Sequence, residues 1–150
     1  KELIPGSEHW PKLERNNSNR FEARMVQVKI NKSNSNFFDG MEGSQLLVPV
    51  NHGEGKMIFP EHVSAKKIIS DNLVPMQFCT NKGIEAKEFP ENPNGSTNGI
   101  TAVTNDDGRF LIMMPHPERS FLNNQLSWTN EKGKHSPWFK LFLNARNFYS

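Results

Sequence analysis

Apolar and polar residues alternate from Phe21 to Ile30, but the phase changes midway. Phe21, Ala23 and Met25 fall on one parity, and Val26, Val28 and Ile30 on the other. A period of two marks a strand, and a slip of one residue predicts a bulge or bend within it. Residues 45–50 form a second strand candidate that ends at Asn51-His52-Gly53-Glu54-Gly55. Residues 61–70 have the spacing of a short helix, and 73–79 read as another strand. Asn81-Lys82-Gly83 signals a turn before a weak strand at 84–89. Residues 90–99, rich in Asn, Pro and Gly, predict a loop. Extended structure resumes at 100–104, and Asn105-Asp106-Asp107-Gly108 predicts a hairpin turn into an antiparallel partner.

That partner is the run Phe110-Leu111-Ile112-Met113-Met114, which ends at Pro115-His116-Pro117-Glu118. A short continuous apolar run suits a strand buried on both faces better than a half-exposed edge. Each proline fixes φ and removes an amide donor, so His116 is held extended on a stiff connection where the strand stops. The carboxyl ends of strands carry the chemistry of open α/β sheets. A His oriented by a carboxylate is the usual base for a Ser or Cys nucleophile, because the carboxylate fixes the tautomer and stabilises the imidazolium. His116 and Glu118, with one residue between them, have the reach to pair. The alternative is a polar turn in which Glu118 and Arg119 are merely solvated.

The clearest helix closes the chain. Ser136 is a good N-cap, Pro137 suits the first helical position, and Trp138, Leu141, Phe142, Ala145, Phe148 and Tyr149 recur at helical spacing, as a core stripe does. The polar stretch 125–136 before it, with Trp128 inside, predicts a long surface loop.

Composition narrows the class. The 150 residues suffice for one domain, which should bury roughly 70% of its unfolded surface. The apolar fraction is 35% and the mean hydropathy −0.69, lean for a self-sufficient α/β domain. Much of the deficit is asparagine, in patches at 16–19 and 31–36 that read as surface loops. The net charge of +2 is mildly basic, with Lys and Arg interleaved among acids, so no stripe argues for nucleic acid. No apolar stretch approaches the ~20 residues of a membrane helix. The chain has no initiator Met and no apolar signal segment, and it reads as beginning mid-sequence, as a fragment would. A single Cys excludes an intrachain disulfide and fits a reducing, cytoplasmic setting.

Two further candidates can be weighed. His52-Gly53-Glu54-Gly55 follows a strand as His116 does; Gly53 permits close approach of a ligand or backbone, and Gly55 permits positive φ. With His116 and Glu118 this turn is a conceivable two-His, two-carboxylate metal site, although each His has one carboxylate neighbour and no third His or Cys stands nearby in sequence. Cys79 sits between Phe78 and Thr80 in a strand-like run, not on a strand-to-helix turn among small residues, so it reads as a buried structural thiol. No Gly-x-Ser-x-Gly occurs either. The residue that His116 would serve as base is absent from these 150 residues.

Several segments then converge. Leu3-Ile4-Pro5-Gly6-Ser7-Glu8, Asn19-Arg20-Phe21-Glu22-Ala23-Arg24, Gly43-Ser44-Gln45, His52-Gly53-Glu54-Gly55, Asn92-Pro93-Asn94-Gly95-Ser96, Asn98-Gly99-Ile100, Met113-Met114-Pro115-His116-Pro117-Glu118-Arg119 and Pro137-Trp138 resemble, in order, the C-terminal glutamine amidotransferase region of the large, single-chain phosphoribosylformylglycinamidine synthase family. The resemblance implies an α/β fold, the C-terminal part of a doubly wound, open-sheet, flavodoxin-like class I glutamine amidotransferase domain with added antiparallel strands. Residues 1–150 are then the C-terminal portion of that glutaminase domain, after the nucleophile elbow.

The resemblance implies a Cys-His-Glu triad in which His116 and Glu118 match the His and Glu. The Cys lies shortly upstream, no metal takes part, and His52, Gly53 and Glu54 become candidates for the glutamine pocket. Residues 92–99 become candidates for the face toward the synthetase. Glutamine hydrolysis would supply ammonia for ATP-dependent conversion of formylglycinamide ribonucleotide to formylglycinamidine ribonucleotide in purine biosynthesis. This chain then needs no cofactor, ATP and Mg acting in upstream synthetase domains. Its partners would be glutamine, those domains and the N-terminal half of the glutaminase domain, with no nucleic acid and no membrane. The alternative is a noncatalytic amidotransferase-like module for assembly or regulation.

Overall fold

The computed structural model describes residues 3–130 and 132–150. Lys1, where the fragment reading began, and Glu131, within the expected surface loop, lie outside the described residues. Five strands form the main sheet: β2 (Glu22–Ile30), β3 (Gln45–His52), β5 (Met76–Phe78), β6 (Ile100–Thr104) and β7 (Leu111–Met113), in the order β3-β2-β5-β6-β7 with every neighbouring pair antiparallel. Two short strands, β1 (Lys12–Glu14) and β4 (Lys56–Ile58), pair separately.

The phase change at Met25 produces no bulge. β2 and β3 pair without interruption from Glu22↔His52 to Lys29↔Gln45. The apparent slip arises because the inward face of β2 is polar at one end, where Glu22 and Arg24 sit in line with Val26, Val28 and Ile30. Phe21, Ala23 and Met25 lie on the exposed face. A register shift falls instead between Met76 and Gln77, in the pairing of β5 with β6.

Helices cover both faces of β6 and β7, which is what makes the fold α/β. Ala102 and Met113 join the cluster of Val28, Val48, Phe78, Trp138 and Leu141 under α2 (Phe139–Tyr149). Val103 and Ile112 point the other way, to Trp10, Met57, Leu73 and Ile68 of α1 (Ala65–Ser70). α1 is shorter than the expected 61–70 because Ser64 caps it, accepting the Lys67 amide at 3.4 Å. No strand forms at 84–89. The segment makes one bridge, Cys79 with Glu85, and the Ala86 amide donates to Phe78 O at 3.0 Å. The Asn105–Gly108 turn closes as expected, with Gly108 at φ 75° and its amide on Asn105 O at 3.1 Å.

The regular helix begins only at Phe139, with Trp138 and not Ser136 as its N-cap and no side-chain cap bond; Ser136 Oγ instead accepts the Trp138 amide at 3.2 Å in the turn that leads into it. Trp138 is buried, with Nε1 donating to Leu47 O at 2.8 Å. Truncating a Trp from such a place costs about 3–5 kcal/mol. The aromatic stripe is core only over its first turns. Phe148 and Tyr149 are exposed, while Asn144 is buried and donates to Phe37 O at 2.9 Å and Asp39 O at 2.8 Å.

β7 is an edge strand in this chain. Its three residues are half-buried and Phe110 is 44% exposed, so the expected burial on both faces is not met: no strand lies beyond it among the described residues. The sheet curls, however, and its two ends meet. The His116 amide, past the end of β7, donates at 2.8 Å to Pro49 O on β3, the strand at the opposite edge. Proline is suited to β3 there, since Leu47 and Pro49 turn their peptide groups to the open edge and no ladder donor is lost.

Candidate active site

Three local features fix His116. Its amide is held by Pro49 O, its carbonyl accepts the Arg119 amide at 3.0 Å, and Pro117-Glu118-Arg119 form one tight helical turn. That turn swings Glu118 back toward the imidazole. His116 Nδ1 and Glu118 Oε1 are 2.7 Å apart, the length of a charge-assisted hydrogen bond. With Nδ1–H donating to the carboxylate, Nε2 carries the lone pair, as a general base requires. The His116 side chain is 30% exposed and Glu118 52%. Arg119 Nε also lies 3.6 Å from Glu118 Oε1. The simple solvated turn is therefore excluded for Glu118, which is paired.

His52 is placed differently. It ends β3 opposite Glu22, is 6% exposed, and belongs to a buried polar network. Asn94 Nδ2 donates to His52 Nε2 at 3.2 Å and to Gly55 O at 2.7 Å. Asn94 Oδ1 accepts from Ser96 N at 3.0 Å and Ser96 Oγ at 2.7 Å. Asn16 completes the frame, donating to Arg20 O and His52 O and accepting the Gly55 amide at 3.1 Å. An acceptor role for Nε2 puts the proton on Nδ1, which is buried and without a partner. Burial pushes the His52 pKa down; His116 pushes it further down, while Glu22 pulls it partly back.

Gly55 is not needed for positive φ. It is needed because a Cβ there would stand 2.0 Å from His52 Cδ2. Gly53 has open space, its nearest contact being Phe21 Cδ2 at 3.7 Å, and Glu54 is exposed.

The asparagine patch at 16–19, expected as a surface loop, and the loop expected at 90–99 therefore hold buried anchors: Asn16 is 1%, Asn92 2% and Asn94 0% exposed, whereas no asparagine of the 31–36 patch is buried. Asparagine there satisfies backbone groups that tight turns leave without partners. The sequence signal was the pairing of Asn with Gly and Ser in Asn92-Pro93-Asn94-Gly95-Ser96. Sequence reasoning also missed Glu22. This nearly buried carboxylate is held by Ser18 Oγ at 3.1 Å and Arg24 Nε at 3.2 Å, on the floor of a cavity of about 560 Å³.

Among the described residues no group of three or more His, Cys, Asp or Glu is placed to hold a metal ion. The two-His, two-carboxylate arrangement is not assembled, because His52 is turned into the asparagine network and Glu54 into solvent. Cys79 is buried as a free thiol, and burial pushes its pKa up, with Lys29 pulling only partly against it. It has the properties of a structural thiol, not of an activated nucleophile. No helix among the described residues is long and apolar enough to cross a membrane.

The structure thus places a carboxylate-oriented histidine just past the end of a strand, a geometry in which an imidazole can exchange protons through Nε2. The model of the CobB/CobQ-like glutamine amidotransferase domain matches residues 1–149, and the chain belongs to that family. The fold also matches the solved structure of PurLQS from Thermotoga maritima, with a TM-score of 0.66 and 22% identity over 93% of this chain and 53% of that one. The chain thus spans about half the length of the solved chain it resembles.

Proposed function

We propose that this chain carries the acid–base half of the glutaminase of phosphoribosylformylglycinamidine synthase, its nucleophilic Cys coming from a preceding segment of the same domain. One observation carries the reading: the 2.7 Å His116–Glu118 pair on a backbone pinned to β3. The half-buried edge of β7, apolar on both faces, supports it further, because such a strand is suited to pair with one more. Residues 1–150 are then the C-terminal portion of the glutaminase domain, in a cytoplasmic enzyme.

In this mechanism the Cys thiolate attacks the carboxamide carbon of glutamine. Protonated His116 gives its Nε2 proton to the departing amine, so that ammonia leaves and a thioester remains. Neutral His116 then takes a proton from water as the water attacks the thioester, releasing glutamate and restoring the thiolate and imidazolium. Glu118 holds Nδ1–H throughout and stabilises the imidazolium. The ammonia passes to the synthetase domains. In those domains, outside this chain, ATP with magnesium would supply the activation of the amide oxygen of formylglycinamide ribonucleotide that lets ammonia displace it, giving formylglycinamidine ribonucleotide. The 52–54 turn, at the same end of β3, borders the glutamine site.

The test is His116→Ala in the complete enzyme. Glutamine-driven turnover is lost while free ammonia still supports product formation; glutamine-driven turnover at the wild-type rate would remove His116 from the triad.

A further inference from the structure

Residues 87–91 are all exposed, yet the positions on either side, Ala86 and Asn92, are buried. Both ends are anchored. The Ala86 amide donates to Phe78 O at 3.0 Å, and Asn92 Nδ2 donates to Ser96 O at 2.9 Å. The span between them walls the cavity of about 560 Å³, to which it contributes Lys87, Glu88 and Phe89. Apart from a local turn bond, the Asn92 amide on Glu88 O, every hydrogen bond and ring contact of the span runs to one side chain, Arg24 of β2.

Arg24 holds three groups at once. Nη2 donates to Pro90 O, the guanidinium lies 4.9 Å from the centroid of the Phe89 ring, and Nε donates to Glu22 Oε2 at 3.2 Å. A planar guanidinium has the donors and the face for all three, whereas an ammonium is a compact point charge. Glu22 lines the same cavity, and its other bond is to Ser18 Oγ at 3.1 Å. The span and the cavity floor therefore share one latch. The cavity is also close to the acid–base pair: Glu22 is the register partner of His52, and the His116 amide sits on Pro49, three residues earlier on β3, a separation of about 10 Å along a strand.

We propose that residues 87–91 are a strap over this cavity, hinged at the buried anchors 86 and 92 and held closed by Arg24. An occupant that draws Glu22 away from Nε weakens the latch, so the state of the cavity and the closure of the strap are coupled through one side chain. The device stands on the fold alone, and its failure leaves the glutaminase reading untouched.

The test is cleavage of the complete enzyme by a glutamate-specific protease, read at Glu88 in the strap against Glu42, exposed in the turn before β3. A native loop is cut in its opened form, and when opening is fast the rate follows the open population. Arg24→Met raises cutting after Glu88 about tenfold or more, the combined effect of a charge-assisted bond and a cation–π contact, and leaves Glu42 within about twofold. Arg24→Lys behaves as Arg24→Met does, since charge alone does not make the latch. Phe89→Leu, at an exposed site, gives a rise of about threefold. Glu22→Gln gives a smaller rise than Arg24→Met and adds nothing to it in the double variant, because it acts through that side chain. Cutting after Glu88 at the wild-type rate in either Arg24→Met or Phe89→Leu, or a rise shared equally by Glu42, overturns the strap. Independent effects of Glu22→Gln and Arg24→Met overturn the coupling.

Discussion

Replacing Gly55 with alanine sets a methyl group 2.0 Å from His52 Cδ2, 2.2 Å from Nε2 and 2.7 Å from Cγ. None of these separations is tolerable, and the ring cannot simply tilt, because Asn94 Nδ2 holds its Nε2 at 3.2 Å in a buried site. Overpacking of this kind costs about 1–3 kcal/mol, and losing a buried hydrogen bond about 1 kcal/mol more. The expected loss is thus about 2–4 kcal/mol, a fall in Tm of roughly 5–15 °C for a domain of this size. Gly53→Ala is the internal control, since a Cβ there meets only Phe21 Cδ2 at 3.7 Å, and its stability should stay within about 0.5 kcal/mol of wild type. Urea unfolding of the four members of a Gly55→Ala, His52→Ala cycle measures the source of the strain. If the ring is what the methyl strikes, the double variant is more stable than the sum of the single losses by about 1–3 kcal/mol. Additive losses, or a Gly55→Ala protein as stable as Gly53→Ala, would refute the steric argument.

Glu118→Gln should lower glutamine-driven turnover by about 10²–10⁴-fold while ammonia-driven synthesis persists, because the amide can no longer stabilise an imidazolium; parallel kinetics with the two nitrogen donors check it. The His52 pKa is depressed in the folded state, so the unfolded chain binds the extra proton first. Its contribution is complete above the ordinary value of 6.5 and is lost as pH falls through the depressed one. Urea midpoints of wild type and His52→Gln should converge as pH is lowered across that window, and parallel pH curves would contradict the assignment. Cys79, buried with its pKa raised, should resist a disulfide-exchange reagent at pH 8 until the protein is unfolded. Cys79→Ala should leave glutamine turnover intact, and a thiol that reacts in the native state would show the site to be open.

The sequence pattern located the strands and the terminal helix well where they are long and one face is buried, as in β2, β3 and α2. It failed where a polar side chain occupies the inward face. Glu22 and Arg24 on the buried side of β2 mimic a phase slip, and a periodicity argument cannot separate a bulge from a polar core position. Asn144 breaks the aromatic stripe of α2 for the same reason. The run at 110–114 was legible as a strand but not as an edge, since edge position depends on which neighbours the chain supplies. His116 and Glu118 were legible because one intervening residue fixes their proximity. The cavity around Glu22 was not, as it is assembled from segments at 17–22 and 87–95 that only the folded chain brings together.

The bond from the His116 amide to Pro49 O has a use in solution. It is a single exchangeable proton whose protection requires the two ends of the curled sheet to be closed on each other. Hydrogen exchange at that one amide therefore times the opening of the seam separately from global unfolding. An amide that exchanges faster than its neighbours in β6 would mean that His116 loses its seat long before the domain melts, so any activity resting on the His116–Glu118 pair would fail before thermal denaturation.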